Sequence, residues 1–594
     1  MYNTATVFWK TLADAGVTHA FVNWGSDHSA LLEDLERQRV EEGKSLLEIV
    51  TCPNEMVALC AAHGYSQVAG LPAAVIVHVD VGTQALASAV HNVDRGQTPV
   101  LIFAGASPFT IEGELKGSRT EWPLWIQDIP DQAAIVRQYM RYTAQISSGV
   151  SAAKTIMRAL QFAQSDPKGP VYLWARRETL EEELDASIVQ QGVDVASWPP
   201  ITPPGLAPSA VDTIVSALIH AEFPLIITGN VGRNPNAVPL LSSLSNTLSV
   251  AIVTSCPSAL CIPHSHPFLV GSSWDGRTAF LKDADVVVIL EADIPWMPVT
   301  GTRPKRGARV FVIDADPLKQ SVGYTHVDAE MVCKTDAEVA LGQLLEAAGR
   351  KLDEPSRAIV AGRAQRLESL HTAWTTDLDT AERALTPGTT LPTIPYLLGA
   401  LRSAVHEHTP SKGQTVLWLN EGISNAGFIW NHIQPNAPGS MLMSGGSSLG
   451  YALGGAIGAH MGSVVAQKQY DIIVAIVGDG DFLFGAPSTA YWIASRYETP
   501  FLTIVLNNGG WLSPGRSMTV VHPRGHGAKA SGQRLTTSFG PKPPNYSQIA
   551  VAAGDAWGRR VEGASDLPVA FSEAIRVVLE EKKCAVVDCV LESI

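Results

Sequence analysis

The stretch VGDGDFLFG, Val477 to Gly485, closes the apolar run DIIVAIVG (471–478), and LNNGG, Leu506 to Gly510, closes a second run, PFLTIVL (500–506). Short runs of aliphatic and β-branched residues that end at glycine predict strands buried on both faces, as in a parallel sheet covered by helices. In such sheets ligands bind beyond the carboxyl ends of the strands, so acid and amide side chains placed there are candidates for chemistry. Asn508 stands 29 residues after Asp479, about the length of a loop, a covering helix and the next strand, so the two strand ends should lie side by side. Asp479 and Asn508 would then offer a hard cation two oxygens, with a backbone carbonyl and phosphate oxygens completing its shell. That donor set suits Mg2+ or Ca2+ with a diphosphate. Taken singly, each motif also reads as a solvated acidic turn or an Asn-Gly turn.

The same alternation runs through the chain. HAFV, AAVIVHV and PVLIFAG alternate with ALLEDLERQRVEE and EMVALCAAHGYSQVA in the first third. The Pro-rich SWPPITPPGLAPS (197–209) interrupts it, and PLIITG, SVAIVTS, ADVVVILEA and ARVFVIDADP resume it. A charged helical region near 335–385 and TPGTTLPTIP (386–395) precede the segment that holds both motifs. The 594 residues, at ~100–200 per domain, therefore predict an α/β protein of three doubly wound parallel-sheet domains. These should occupy 1–190, 210–350 and 396–594, with a linker at 191–209 and a helical linker region at 351–395.

The formal net charge of −14 argues against general affinity for nucleic acid or an anionic membrane, which leaves small molecules as the expected partners. Seven scattered cysteines suggest no disulfide framework and a reducing compartment. MYNTATVFWKTLADAGVTHAFV reads as a helix and a strand without a targeting pattern, and no apolar run approaches the ~20 residues of a membrane span. The expectation is a soluble, cytoplasmic protein.

Together, VGDGD and LNNGG resemble the diphosphate-binding signature of thiamine-diphosphate (ThDP) enzymes, the family of acetolactate synthase, pyruvate oxidase, benzoylformate decarboxylase and pyruvate decarboxylase. The resemblance implies a pyrimidine-binding first domain, a middle domain and a diphosphate-binding third domain, with thiamine diphosphate and Mg2+ as cofactors. It assigns the metal to Asp479, the side chain of Asn508 and the carbonyl of Gly510. It places the diphosphate around Gly478, Gly480 and Asp481, where Asp481 replaces the commoner Ser. In CPNEMVALCAAHGYSQVAG, Glu55 matches the carboxylate that helps the cofactor's aminopyrimidine move a proton. Read from the residues alone, Glu55 is also an acid favourably placed in the first turn of a helix. In SLGYALGGAIGA, Leu449 before Gly450 matches the bulky residue that props the cofactor into its bent shape. Gly422 and Ser424 match a stretch that touches the diphosphate, Gln127 in WIQD matches a glutamine facing the substrate, and Gly82 in VDVGTQA is what remains of a glycine-rich loop.

In this family the glutamate of one subunit meets the diphosphate domain of another, which implies a homodimer or homotetramer. The implied activity is decarboxylation and carboligation of a 2-oxo acid, acetolactate-synthase-like, with a 2-oxo acid or an aldehyde as substrate. A non-ligating 2-oxo acid decarboxylase or 2-hydroxyacyl lyase is the alternative within the class, and a non-catalytic regulatory subunit the alternative outside it. GNVGRNPNA (229–237) leaves FAD open in the middle domain. SCPSALCIPHSHP gathers Cys256, Cys261, His264 and His266, but the spacing fits no standard zinc site. GGWLSPGRSMTVVHPRGHGAKASGQR (509–534) is basic and nearly acid-free, either a lid that attracts a carboxylate or a solvated loop.

Overall fold

The computed structural model describes residues 2–319 and 323–594. Each third of the chain builds one six-stranded sheet. The first comprises β1 (His19–Val22), β2 (Glu48–Thr51), β3 (Ala73–Val77), β4 (Val100–Ala106), β5 (Tyr142–Gln145) and β6 (Val171–Arg176), in the order β2-β1-β3-β4-β6-β5. The second comprises β7 (Pro224–Thr228), β8 (Ala251–Ser255), β9 (Leu269–Ser273), β10 (Val286–Leu290), β11 (Arg309–Asp314) and β12 (Met331–Lys334), in the order β9-β8-β7-β10-β11-β12. The third comprises β13 (Val416–Glu421), β14 (Met441–Leu442), β15 (Ile472–Gly478), β16 (Leu502–Asn507), β17 (Trp557–Val561) and β18 (Ala585–Val590), in the order β14-β13-β15-β16-β18-β17.

Neighbouring strands pair in parallel throughout these sheets. That explains why β3, β10 and β15 are almost wholly apolar: helices cover both faces and leave no position for a polar alternation. The first and third sheets repeat one strand order, whereas the second has the order of dinucleotide-binding folds. A helical linker, Glu354–Ala381, leads from the second domain to the third.

Two helices join the first and third domains. Helix α1 (Glu55–Ala69) begins where the Asn54 side chain accepts the Val57 N–H at 3.1 Å and ends at Gly70, whose φ of +71° stops the helix in the left-handed conformation. Helix α2 (Tyr451–Val465) crosses it so closely that only glycine fits on the contact face. A Cβ on Gly458 would lie 1.7 Å from the Ala61 carbonyl oxygen, and one on Gly64 would lie 2.1 Å from that of Gly455. The spacing Gly454, Gly458, Gly462 puts one glycine on each successive turn of that face. Apolar side chains around this crossing form one core shared by the two domains, from Val57 and Tyr65 to Tyr451 and Ile457. Among the described residues no helix is long and apolar enough to cross a membrane.

Candidate active site

Gly478 of β15 pairs with Leu506 of β16, so the residues that follow, Asp479 and Asn508, emerge at adjacent strand ends. Both side chains turn to the same backbone: Asp479 Oδ2 accepts the Gly510 N–H at 2.9 Å, and Asn508 Oδ1 accepts it at 3.3 Å. Asp479 Oδ1 accepts the Gly480 N–H at 2.8 Å at the start of the short helix α3 (Asp479–Phe484). Gly422, Ser424, Leu449, Gly478, Asp479, Gly480, Asp481, Asn508 and Gly510 line one cavity. Gly450, with φ +89°, forms the turn behind Leu449. Two of the glycines are sterically required. A Cβ on Gly480 would fall 2.1 Å from the Trp511 ring, and Gly510, at φ +152°, has the Thr537 carbonyl oxygen 2.2 Å from where a Cβ would be.

Three carboxyl groups meet here. Burial pushes Asp479 up to about 6, against the pull of the Gly480, Gly509 and Gly510 amides. Burial and the Asp479 charge push Asp481 up to about 7, although its Oδ2 accepts the Gly478 N–H at 3.1 Å. Glu421, at the end of β13, is raised well above the carboxylate range, first by burial and then by the charge of Asp481. Its two oxygens accept the N–H groups of Tyr451 and Ala452, each at 2.7 Å, and so cap α2 and fix the Leu449-Gly450 turn. Buried acids without counter-charge are costly. A divalent cation at Asp479, Asn508 and the Gly510 carbonyl, with a diphosphate over the α3 amides, answers that cost, so the residues fit both groups.

The second half of the site stands in the first domain. Glu55 opens α1, and Gly82 lies against it: a Cβ there would be 3.2 Å from Glu55 Oε1. Just before Gly82, His78 is held between two acceptors. Its Nδ1 makes a short hydrogen bond to Asp27 Oδ1, and its Nε2 lies 3.0 Å from Gln127 Oε1. Asp27 is fully buried and also accepts the Val79 N–H at 3.1 Å. Burial would raise its pKa, but the His28 and His78 charges and the bonds from His78 and Val79 hold it below the usual range. Burial would likewise lower that of His78, but the bond and charge of Asp27 raise it. The fold makes room for this pair, since a Cβ on Gly25 would fall 2.0 Å from His78 Nδ1 and one on Gly105 would fall 1.8 Å from Asp27 Oδ2.

Glu55, Gly82 and Gln127 therefore gather with His78, but none of them lines the cavity at Asp479. Sequence reasoning missed His78, Asp27 and the capping role of Glu421. The one signal for His78 was its place at the end of the apolar run AAVIVHV.

Two other motifs lie away from this cavity. His264 packs on Trp374 with ring centroids 4.8 Å apart and is pushed down to about 3 by burial, while the buried Cys261 thiol is pushed up to about 11. Among the described residues no three His, Cys, Asp or Glu side chains are arranged to hold a metal ion. In the middle domain the glycines of GNVG face protein backbone: Cβ atoms on Gly229 and Gly232 would fall 2.6 and 2.1 Å from the carbonyl oxygens of Ser255 and Leu260. Glu291, half-buried at the same strand ends in the wall of a cavity that Gly232 and Arg233 also line, is pushed up to about 8 by desolvation and by the charges of Asp314 and Asp336.

Comparison with known proteins agrees with this architecture. Three thiamine pyrophosphate enzyme models match: the N-terminal TPP binding domain over residues 2–135, the central domain over 211–344 and the C-terminal TPP binding domain over 422–589. Benzoylformate decarboxylase of Pseudomonas aeruginosa is 22% identical, with 84% of this chain and 85% of that protein covered. For 2-hydroxyacyl-CoA lyase of Saccharomyces cerevisiae the figures are 21%, 92% and 90%, and for acetolactate synthase of Bacillus subtilis 22%, 84% and 80%. The crystal structure of benzoylformate decarboxylase from Polynucleobacter necessarius superimposes with a TM-score of 0.76 at 18% identity, covering 100% of this chain and 99% of that one. With the three domain models spanning most of its length in the family's order, this chain belongs to the thiamine pyrophosphate enzyme family.

Proposed function

We propose that this protein is a ThDP- and Mg2+-dependent enzyme that cleaves a 2-oxo acid, or a 2-hydroxyacyl compound, beside its carbonyl carbon and releases the product after protonating it. Bound thiamine diphosphate supplies the carbon nucleophile and electron sink for that cleavage. Asp479, Asn508 and the Gly510 carbonyl would hold the metal, Leu449 would set the cofactor's bend, and Glu55 would exchange a proton with its aminopyrimidine. Because Glu55 stands outside the diphosphate cavity, a second copy of the chain would bring the two halves together. Trp122, Trp125 and Ile126, exposed by 74, 52 and 69% beside Gln127, give that contact an apolar surface.

The observation that carries the reading is His78 between Asp27 and Gln127. The Asp27 carboxylate favours the protonated ring, and with the Gln127 amide oxygen facing it the proton on Nε2 can pass to the substrate-derived carbon. A resident proton donor favours release of an aldehyde over capture by a second carbonyl. That supports the decarboxylase or lyase reading over acetolactate-synthase-like carboligation.

The test is a panel of 2-oxo acids, including pyruvate and benzoylformate, and a 2-hydroxyacyl-CoA, incubated with the protein, ThDP and Mg2+, with every product identified. An aldehyde as main product is expected, with Glu55→Gln slowing turnover by about 10²–10⁴-fold and His78→Ala moving product from aldehyde toward ligated ketone. No cleavage of any substrate, or ligated product alone from the unmodified enzyme, refutes the proposal.

A further inference from the structure

The basic segment after the metal loop is a closed excursion with its own architecture. Its two ends are clasped at the site: Gly510 bridges Ser538, the Trp511 N–H donates to the Thr537 carbonyl at 2.8 Å, and the Phe539 N–H donates to that of Gly509 at 2.8 Å. Trp511 to Pro514 line the diphosphate cavity. From there helix α4 (Leu512–Val521) runs outward with none of its side chains buried, and Val520 and Val521 are exposed by 81 and 66%. The chain then doubles back on it, for the short turn His526–Lys529 puts Gly527 against Met518, where a Cβ would lie 2.1 Å from the sulfur. Two contacts tie α4 to the other cavity wall: Ser513 Oγ lies 2.7 Å from Ser424 Oγ, and Arg516 Nη1 donates to the Ser424 carbonyl at 2.9 Å.

Between Glu498 and Asp555 the chain has no Asp or Glu. Within the excursion Arg516, His522, Arg524, His526, Lys529 and Arg534 are all exposed. Elsewhere the same chain pairs its cations readily, as Arg309 does with Glu330 and Arg402 with Glu382. A formal net charge of −14 makes an acid-free basic excursion at the mouth of the site the more exceptional. Cations grouped on one excursion without carboxylates repel one another, and a polyanion bound there removes that repulsion.

We infer that the excursion 511–537 binds a phosphate-bearing tail of the substrate, remote from the carbon at which bonds break. This rests on the reading of the site as catalytic and adds its substrate class: an acyl compound whose far end is multiply anionic. That chemistry has two sources, a coenzyme A thioester and a small phosphorylated 2-oxo acid. The number of cations favours the first.

The experiment uses the full-length protein already loaded with ThDP and Mg2+, so that the diphosphate pocket is filled, and titrates it calorimetrically with coenzyme A or with 3-phosphoglycerate. Coenzyme A should bind with a dissociation constant that rises steeply with salt. Charge reversal at two positions, Arg524→Glu with Lys529→Glu, should weaken it at least tenfold. Binding of 3-phosphoglycerate alone would assign the smaller source. Failure of both probes to bind the loaded protein, or binding indifferent to the charge reversal, overturns the inference. Since calorimetry needs no turnover, the two failures are distinguishable: binding without cleavage of any substrate would refute the catalytic proposal and leave the excursion a polyanion-binding surface without a substrate, and cleavage of plain 2-oxo acids without probe binding would refute this inference alone.

Discussion

Replacing Gly458 by Ala tests the crossing that sets the two domain halves against each other. The added Cβ would sit 1.7 Å from the Ala61 carbonyl oxygen and 2.6 Å from its carbon, both backbone atoms that no rotamer change can move. Ordinary contact begins near 3.4 Å, so α1 and α2 must part by more than an ångström. A gap of ~0.5–1 Å already forfeits a quarter to a half of the dispersion between facing atoms, and overpacked core sites cost ~1–3 kcal/mol. With the obstacle rigid and the shared core running along the whole crossing, the upper end applies: about 3 kcal/mol, or roughly 6–12 °C in the melting temperature at ~2–4 °C per kcal/mol for a unit of this size.

Gly342→Ala is the matched control, because Gly342 lies inside the helix Ala337–Lys351 with nothing within 4 Å of its Cβ position. That change should stabilise by about 0.5–1 kcal/mol. Near-ultraviolet circular dichroism across a thermal ramp reads both. If Gly458→Ala melts within about 1 kcal/mol of the unmodified protein, close backbone approach is not what requires glycine there, and the account of the helix pair fails.

Two further outcomes concern the site. Asp479→Ala should abolish the thermal stabilisation that Mg2+ and ThDP together give the unmodified protein, about 2.7 kcal/mol at a hundredfold excess over the dissociation constant; an undiminished shift in differential scanning fluorimetry would remove Asp479 from the metal. Asp27→Asn bears on pH. His78 is raised by its bond to Asp27 and by that carboxylate's charge, so it stays protonated to higher pH than a free imidazole, and losing the carboxylate lowers it. The alkaline limb of the cleavage rate should therefore move to lower pH, with circular dichroism confirming the fold; an unmoved limb would mean that His78 does not supply the proton.

The meeting of Asp479 and Asn508 was legible because their strands are distinct in the sequence. DIIVAIVG and PFLTIVL can only be buried strands, so the side chains after them had to meet, and Asp479 and Asn508 do converge on Gly510. Glu55, Gly82 and Gln127 were singled out by resemblance alone, and the structure places them near His78. What escaped were interactions whose partners are distant in sequence. Asp27 reads as an ordinary polar residue in a loop, and nothing local shows that it is fully buried against a histidine 51 residues away. Glu421 ends a strand, yet caps a helix that begins 30 residues later. The four-residue spacing of the α2 glycines records a second helix lying against them, a partner that no local pattern names. The proposal of decarboxylation or lysis over ligation rests on His78, and so had to wait for the fold.

The clasp between Gly510 and Ser538 has a consequence for cutting the chain. Arg516, Arg524, Lys529 and Arg534 are exposed trypsin sites, and all lie on the far side of that clasp from the three sheets. A nick at any of them opens the excursion while both of its stumps stay fastened beside Asn508. The three domains can therefore outlive the loss of a continuous backbone there, in a protein cleaved in covalent terms and whole in folded ones.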